Sequence, residues 1–235
     1  MGILPLKIMK YLILIIFFTV FTNQILAKPS LKHETIKINN ISINKQTSEI
    51  QIKASFAVKH DILEYFLVGE EGKAYESAFK VDSKTKGSEL NFALLLIGSE
   101  PVPFAELMKY QKMTNGLQQL KHKYPNSIFN INLYLYDTQL SPALFLRNRE
   151  IKDYQNKNLT WVYTGGCFST NNKYMADIDF CYIGIWPDSS APLNLFNTGQ
   201  NPYQNENAGF IMTHPSDIDI SIDQKILIII KKSKE

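Results

Sequence analysis

The chain has 235 residues, 45% of them apolar and 20% charged, with 11 Gly and 10 Pro. Those proportions exclude a collagen-like repeat, a coiled coil and a disordered tail, and they suit one globular domain or a small pair. Formal net charge is +3, and of 25 basic residues only Arg147 and Arg149 are arginines, which excludes the bidentate phosphate recognition expected of a nucleic-acid surface.

Residues 1–27 have the three parts of a secretory signal. Lys7 and Lys10 form the positive end, Tyr11 to Thr22 an uninterrupted apolar run, and Asn23 to Ala27 a more polar exit closing on a small residue. The run falls short of the ~20 residues a helix needs to span a bilayer, so the reading is a signal cleaved after Ala27 and a product that is periplasmic or secreted; the alternative is a leader kept as an N-terminal anchor. Ile226 to Ile230, followed by Lys231 and Lys232, reads as a buried strand, so no integral span is expected after cleavage.

The rest reads as a single α+β domain over 28–235. Lys28 to Glu34 is an arm. Ile36, Ile38, Ile41 and Ile43 alternate with polar residues, and Ile50, Ile52, Ala54, Phe56 and Val58 resume the alternation after a turn at 46–48, the two-residue period of strands. Tyr65 to Val68 and Tyr75 to Phe79 flank a reversal at Glu70 to Lys73, which makes an antiparallel meander. Helical spacing follows over about 88–98, where Leu90, Ala93, Leu94 and Ile97 form one face and Phe92, Leu95 and Leu96 make the others apolar, as in a buried helix. A second helix over about 103–123 carries Tyr110, Met113, Leu117, Leu120 and Tyr124 as its stripe, with Gly116 weakening its middle. Strands follow at 128–136, 143–146, 161–168, 174–176 and 181–186, a long polar loop at 187–208, and strands at 210–212, 217–222 and 225–230. The expected fold class is therefore α+β, mainly antiparallel sheet with two helices packed on it.

Few motifs carry chemistry. His33, His60, His122 and His214 are scattered through the sequence with no metal-ligand spacing, and the cysteine spacing fits neither zinc nor an iron–sulfur cluster, so neither metal nor cofactor is expected. Thr164-Gly165-Gly166 lacks the Lys and following helix of a phosphate cradle, and the glycines read as a bulge or a close backbone approach. Glu64 and Glu76, across the reversal, could lie on neighbouring strands, where paired carboxylates push their pKa values apart; the alternative is two solvated positions. Asp177 and Asp179 read as turn formers. Cys167 and Cys181 either pair in an oxidising compartment, closing a loop that contributes about 3 kcal/mol, or stay as separate buried thiols. Asn40 and Asn158 begin glycosylation triplets.

Leu63 to Pro101 combines Glu64-Tyr65 opening an aliphatic strand, a Gly72-Lys73 turn, the pair Glu76-Ser77, and a helix reading A-L-L-L-x-G from Ala93 to Gly98. Downstream, Trp161 to Gly165 is an aromatic strand ending in T-G, and Tyr174 to Asp177 reads Y-x-A-D. In order and spacing these blocks resemble the YdjY-domain family, over most of Leu63 to Ile185. Tyr75 stands where that family often has His, and Cys167 where Ser is expected after Gly166. The resemblance implies an exported bacterial envelope protein and supplies no mechanism.

The expected function is a non-catalytic envelope module that binds a small molecule or another envelope protein, with Glu64, Tyr75, Glu76, Trp161, Thr164 and Asp177 lining an aromatic groove. On that reading Glu76→Ala or Trp161→Ala weakens binding and spares stability. The alternative is a hydrolase or redox accessory enzyme using Glu64 and Glu76, or a Cys167–Cys181 couple.

Overall fold

The computed structural model describes residues 35–82, 84–150, 159–196, 209–216 and 218–233. The expected leader, the arm at 28–34, the second half of the polar loop and Asn158 of its triplet lie outside the described residues. In chain order the strands begin with a hairpin, β1 (Thr35–Ile38) and β2 (Ile41–Asn44), followed by β3 (Glu49–Phe56), β4 (Ile62–Leu63), β5 (Tyr65–Val68) and β6 (Ser77–Lys80). The alternation of Ile36 to Ile43 is thus two strands, reversed at Asn39 with φ of 48°, a left-handed conformation that Asn tolerates. Helix α1 (Gly87–Leu96) comes next, then α2 (Phe104–Gln111), α3 (Gly116–Lys123), β7 (Ile128–Leu135), β8 (Thr138–Leu140), β9 (Leu146–Asn148) and β10 (Trp161–Tyr163). The chain closes with α4 (Met175–Ile178), β11 (Cys181–Gly184), β12 (Leu193–Leu195), β13 (Phe210–Met212) and β14 (Lys225–Lys232).

The principal sheet runs β3-β14-β7-β10-β12-β11-β5-β6, and β6 pairs back with β3 through Ser55↔Lys80 and Phe56↔Phe79. It is a closed eight-stranded barrel. Three further strands (β1, β2, β8) extend it, and β4-β13-β9 form a separate small sheet. This overturns the α+β expectation of an open sheet with two helices packed on it, because closure depends on pairings that no local pattern reveals. The ring is also mixed: β5 pairs with β6, and β11 with β12, in parallel. The Glu70–Lys73 reversal is therefore part of a short crossover over 69–76, not a hairpin, and 185–192 is its counterpart between β11 and β12.

The expected helix over 103–123 is two helices. Asn115 adopts φ of 57°, and a Cβ at Gly116 would lie 1.8 Å from the Tyr110 carbonyl oxygen, so the chain turns where only glycine fits. Helix α1 starts one residue before the expected cap at Ser88, and it is not buried all round: Leu90, Ala93 and Leu94 face inward while Phe92 and Leu95 are half exposed. Other corrections are local. Residues 174–176 open α4 instead of a strand, 142–144 make a 3-10 turn before β9, 218–222 hold no strand among the described residues, and β12 lies in the stretch read as loop.

An eight-stranded barrel is just wide enough for side chains to fill, and here aromatics fill it. Phe66 lies 4.7 Å from Trp161 and 5.0 Å from Phe79, and Phe56 lies 5.1 Å from Phe79 and 5.5 Å from Phe145, centroid to centroid. The inward isoleucines of β2, β3 and β14 and the inward residues Ile131, Leu133 and Leu135 of β7 pack in the same core. Two smaller cores lie outside the wall. Val102, Leu107, Tyr110, Leu120, Ile128 and Val162 join α2 and α3 to β7 and β10, and Tyr65, Val68, Cys181 and Ala191 pack at the two crossovers.

Candidate functional site

Glu64 and Glu76 do come together, by the parallel register and not by a hairpin. Tyr65 pairs with Ser77, which places the two glutamates side by side one residue earlier, and the Glu64 N–H donates to the Glu76 carbonyl at 2.9 Å. Lys73 from the crossover reaches over both: its Nζ is 2.9 Å from Glu64 Oε2, 3.6 Å from Glu76 Oε2 and 5.7 Å from the Tyr65 ring centre. Burial lifts the Glu64 carboxyl above the usual carboxylate range, Lys73 pulls it back, and neighbouring Glu76 pushes it up again. The hydrogen bond to Glu64 in turn raises Lys73. One ammonium thus serves two carboxyls, an arrangement that fastens the 69–76 crossover to the start of β5.

Behind that clamp, the Tyr65 hydroxyl donates to Asp188 Oδ2 at 3.2 Å, and Ser190 Oγ donates to Asp179 Oδ2 at 2.8 Å. Cys181 lies beneath them, with Sγ 3.6 Å from the Asp179 carbonyl oxygen. Burial pushes its thiol up to about 12; the Tyr65 hydrogen bond opposes this, and Asp188 and Asp179 add to it. Cys167 is half-buried, and both cysteines are free. The bridge is not formed, and a protonated, buried thiol makes a poor redox partner or nucleophile. Native protein is therefore expected to titrate one thiol with a neutral disulfide reagent at pH 8, Cys167, with the second appearing only on unfolding. Two fast thiols in the native state would contradict this placement.

The other expected groove residues do not line a common surface. Trp161 is fully buried in the barrel, and its indole N–H has no hydrogen-bond partner. Thr164 is buried as well: Oγ1 donates to the Ala191 carbonyl at 3.0 Å and accepts from Asn194 Nδ2 at 2.9 Å. Asp177 Oδ1 accepts the Ser88 N–H at 2.7 Å, which satisfies an orphan donor in the first turn of α1 and sets negative charge at that helix end. Tyr75 is exposed, on the 3-10 turn of the crossover. The glycines that follow Thr164 do serve close approach: Gly166 has φ of 65°, and a Cβ there would lie 2.7 Å from the Ser190 carbonyl oxygen.

A groove does exist elsewhere on the ring, on the outer face of β6-β3-β14-β7. Register builds it. Ser55 stands opposite both Lys80 and Lys225, and Leu227 opposite both Lys53 and Tyr134. Because Ala54, Phe56, Ile226, Ile228, Leu133 and Leu135 point into the core, these partners face outward. They line a groove of about 820 Å³ together with Tyr136 and Asp82. Lys80 pairs with Asp223 at 2.9 Å. Tyr136 is the most exposed large aromatic among the described residues, and its hydroxyl accepts from Gln224 Nε2 at 3.4 Å. The outward positions of Tyr134 and Tyr136 were legible in the alternation of 128–136. That three lysines from three strands would meet them was not, since β6 meets β3 only at the barrel's closure and β14 pairs with β3 from the far end of the sequence.

Compared with known proteins, the chain matches no family model, no curated protein and no solved structure. Among the described residues no helix is long and apolar enough to cross a membrane.

Proposed function

We propose that this chain is an exported, non-catalytic binding module that takes an extended carboxylate-bearing ligand along the outer wall of its barrel. The observation that supports it most is the groove in which Lys53, Lys80 and Lys225 stand beside Tyr134 and Tyr136. Lysines supply point charges suited to spaced carboxylates, whereas planar phosphate recognition favours the arginine fork. The tyrosines offer flat, amphipathic faces to the apolar parts of the same ligand. A barrel interior occupied by aromatic side chains leaves the wall as the binding surface. Export rests on the leader pattern, and kinship with the YdjY-domain family on the motif blocks between Leu63 and Ile185.

Polygalacturonate oligomers serve as the probe, with binding measured by calorimetry. A K53E/K80E/K225E variant is expected to bind at least tenfold more weakly, about 1.4 kcal/mol. A control reversal at Lys109 and Lys112, which lie outside the groove, should leave affinity unchanged. Wild-type affinity should fall as ionic strength rises from 50 to 300 mM, since exposed charges are screened. Equal losses in the two variants would assign the binding to net charge and overturn the groove.

A further inference from the structure

The four histidines are scattered in sequence, yet the fold brings two of them together. His60 lies in the bend after β3, and His214 follows β13 by two residues. The pairing of β4 with β13 sets Ile211 opposite Ile62, and the Met212 N–H donates to the Asp61 carbonyl at 2.8 Å. In consequence the imidazole rings of His60 and His214 lie 5.1 Å apart, centre to centre, with 31° between their planes.

A second observation orients one ring. His214 Nδ1 is 3.1 Å from the Pro215 carbonyl oxygen. A carbonyl can only accept, so in the neutral ring Nδ1 carries the hydrogen and Nε2 keeps its lone pair. A backbone carbonyl behind the non-ligating nitrogen is the arrangement that holds metal-binding imidazoles in place. His60 is exposed and His214 half-buried, so solvent and ions reach both. Two nitrogens on one ion lie no more than about 4 Å apart, twice the usual Zn–N length, and rings at this separation can meet that limit.

We infer that His60 and His214 form a two-imidazole site for a divalent transition-metal ion, with water completing the coordination. Among the described residues no group of three or more His, Cys, Asp or Glu is placed to hold an ion. The site is therefore open and bidentate, unlike a closed structural centre. The neighbouring carboxylate of Asp61 accepts the Ile62 N–H through Oδ1 at 2.8 Å and forms no three-ligand group with the two rings. Imidazole donors select Cu²⁺, Ni²⁺ and Zn²⁺, and they discriminate against Mg²⁺ and Ca²⁺, which require oxygen ligands. An ion held here joins the bend after β3 to the end of β13, so its binding stabilises the folded chain.

The test uses the full chain and Ni²⁺, with Mg²⁺ as control. At a hundredfold excess over Kd, Ni²⁺ is expected to raise Tm by roughly 5–10 °C, and Mg²⁺ to leave it unchanged. His60→Gln and His214→Gln should each weaken Ni²⁺ binding at least tenfold while keeping the metal-free Tm within about 2 °C of wild type, as surface substitutions do. Ni²⁺ binding that persists unchanged in H60Q/H214Q, or no uptake by the wild type, overturns the site. Paramagnetic broadening in the wild-type NMR spectrum gives a readout independent of any variant's folding. Loss of the His60 and His214 ring signals first supports the site, and loss at His33 or His122 first overturns it.

Discussion

Trp161→Ala is expected to lower stability by about 3–5 kcal/mol, the usual cost of truncating a large buried aromatic, and Tm by roughly 6–20 °C. The reason is position. Trp161 has no exposed surface, its ring packs on Phe66, and it belongs to the strand that joins β7 to β12 in the ring. Removing the indole leaves a cavity among aromatic rings that the closed wall cannot collapse. Trp161→Phe provides the contrast. It keeps much of the volume and removes a buried donor without a partner, so its cost should be about 1 kcal/mol. The sequence-based expectation ran the other way, with Trp161→Ala losing binding and sparing stability. Thermal unfolding of the two variants decides between them, and a Trp161→Ala protein melting within 2 °C of wild type would remove Trp161 from the core.

Asn194→Ala is the second large effect, about 2–3 kcal/mol. Asn194 is fully buried on β12. Its Oδ1 accepts from the Asp188 N–H at 2.9 Å, and its Nδ2 donates to Thr164 Oγ1 at 2.9 Å and to the carbonyls of Asp188 and Ala191 at 3.1 Å each. One amide therefore satisfies the backbone of the 185–192 crossover on both sides, and its loss leaves buried polar groups unpaired. The consequence reaches Cys181, which that crossover covers through Asp188, Ser190 and Ala191. Local opening of the crossover should raise the alkylation rate of Cys181 at least tenfold, measured by mass spectrometry after brief labelling. Asn194→Asp, which retains the acceptor and loses the donors, should resemble Asn194→Ala. An unchanged Cys181 rate in both would show that the crossover is held by other means.

Strands with long alternation were legible in the sequence: Ile50, Ile52, Ala54 and Phe56 of β3 and Ile131, Leu133 and Leu135 of β7 state both element and face, whereas the unbroken apolar run at 226–230 gives the strand β14 without its faces. Short strands were legible where an apolar cluster stood between polar stretches, as at 210–212, which is β13 itself, and at 161–168, which β10 opens. β12, three residues within a stretch of Asn, Pro and Ser, shows no period and was read as loop. Closure was invisible for a different reason. It rests on Phe56 meeting Phe79 and on two parallel pairings, and these are contacts between segments whose local patterns fit an antiparallel meander equally well. Asn115-Gly116 is a turn dipeptide, and it splits the helix although the apolar stripe from Tyr110 to Tyr124 continues across it.

The candidate site divides along the same line. For Glu64 and Glu76 the sequence leaves two readings open, neighbouring strands or two solvated positions; the structure sets them side by side, through a parallel pair and not a hairpin. The aromatic groove built on Trp161, Thr164 and Asp177 was not borne out, because a buried aromatic, a satisfied threonine and a helix-capping aspartate have the same residue types as a binding surface. The lysine–tyrosine groove and the His60–His214 pair both depend on strand order, which only the fold supplies.

The most direct measurement is a backbone amide titration of isotope-labelled protein with polygalacturonate oligomers, following every assigned peak. Binding along the wall predicts that the largest shift changes fall on Lys53, Ser55, Lys80, Tyr134, Tyr136 and Lys225, with little change around Trp161 or Glu64. Changes centred instead on Glu64, Tyr75 and Glu76 would contradict the account and return the binding surface to the crossover beside β5.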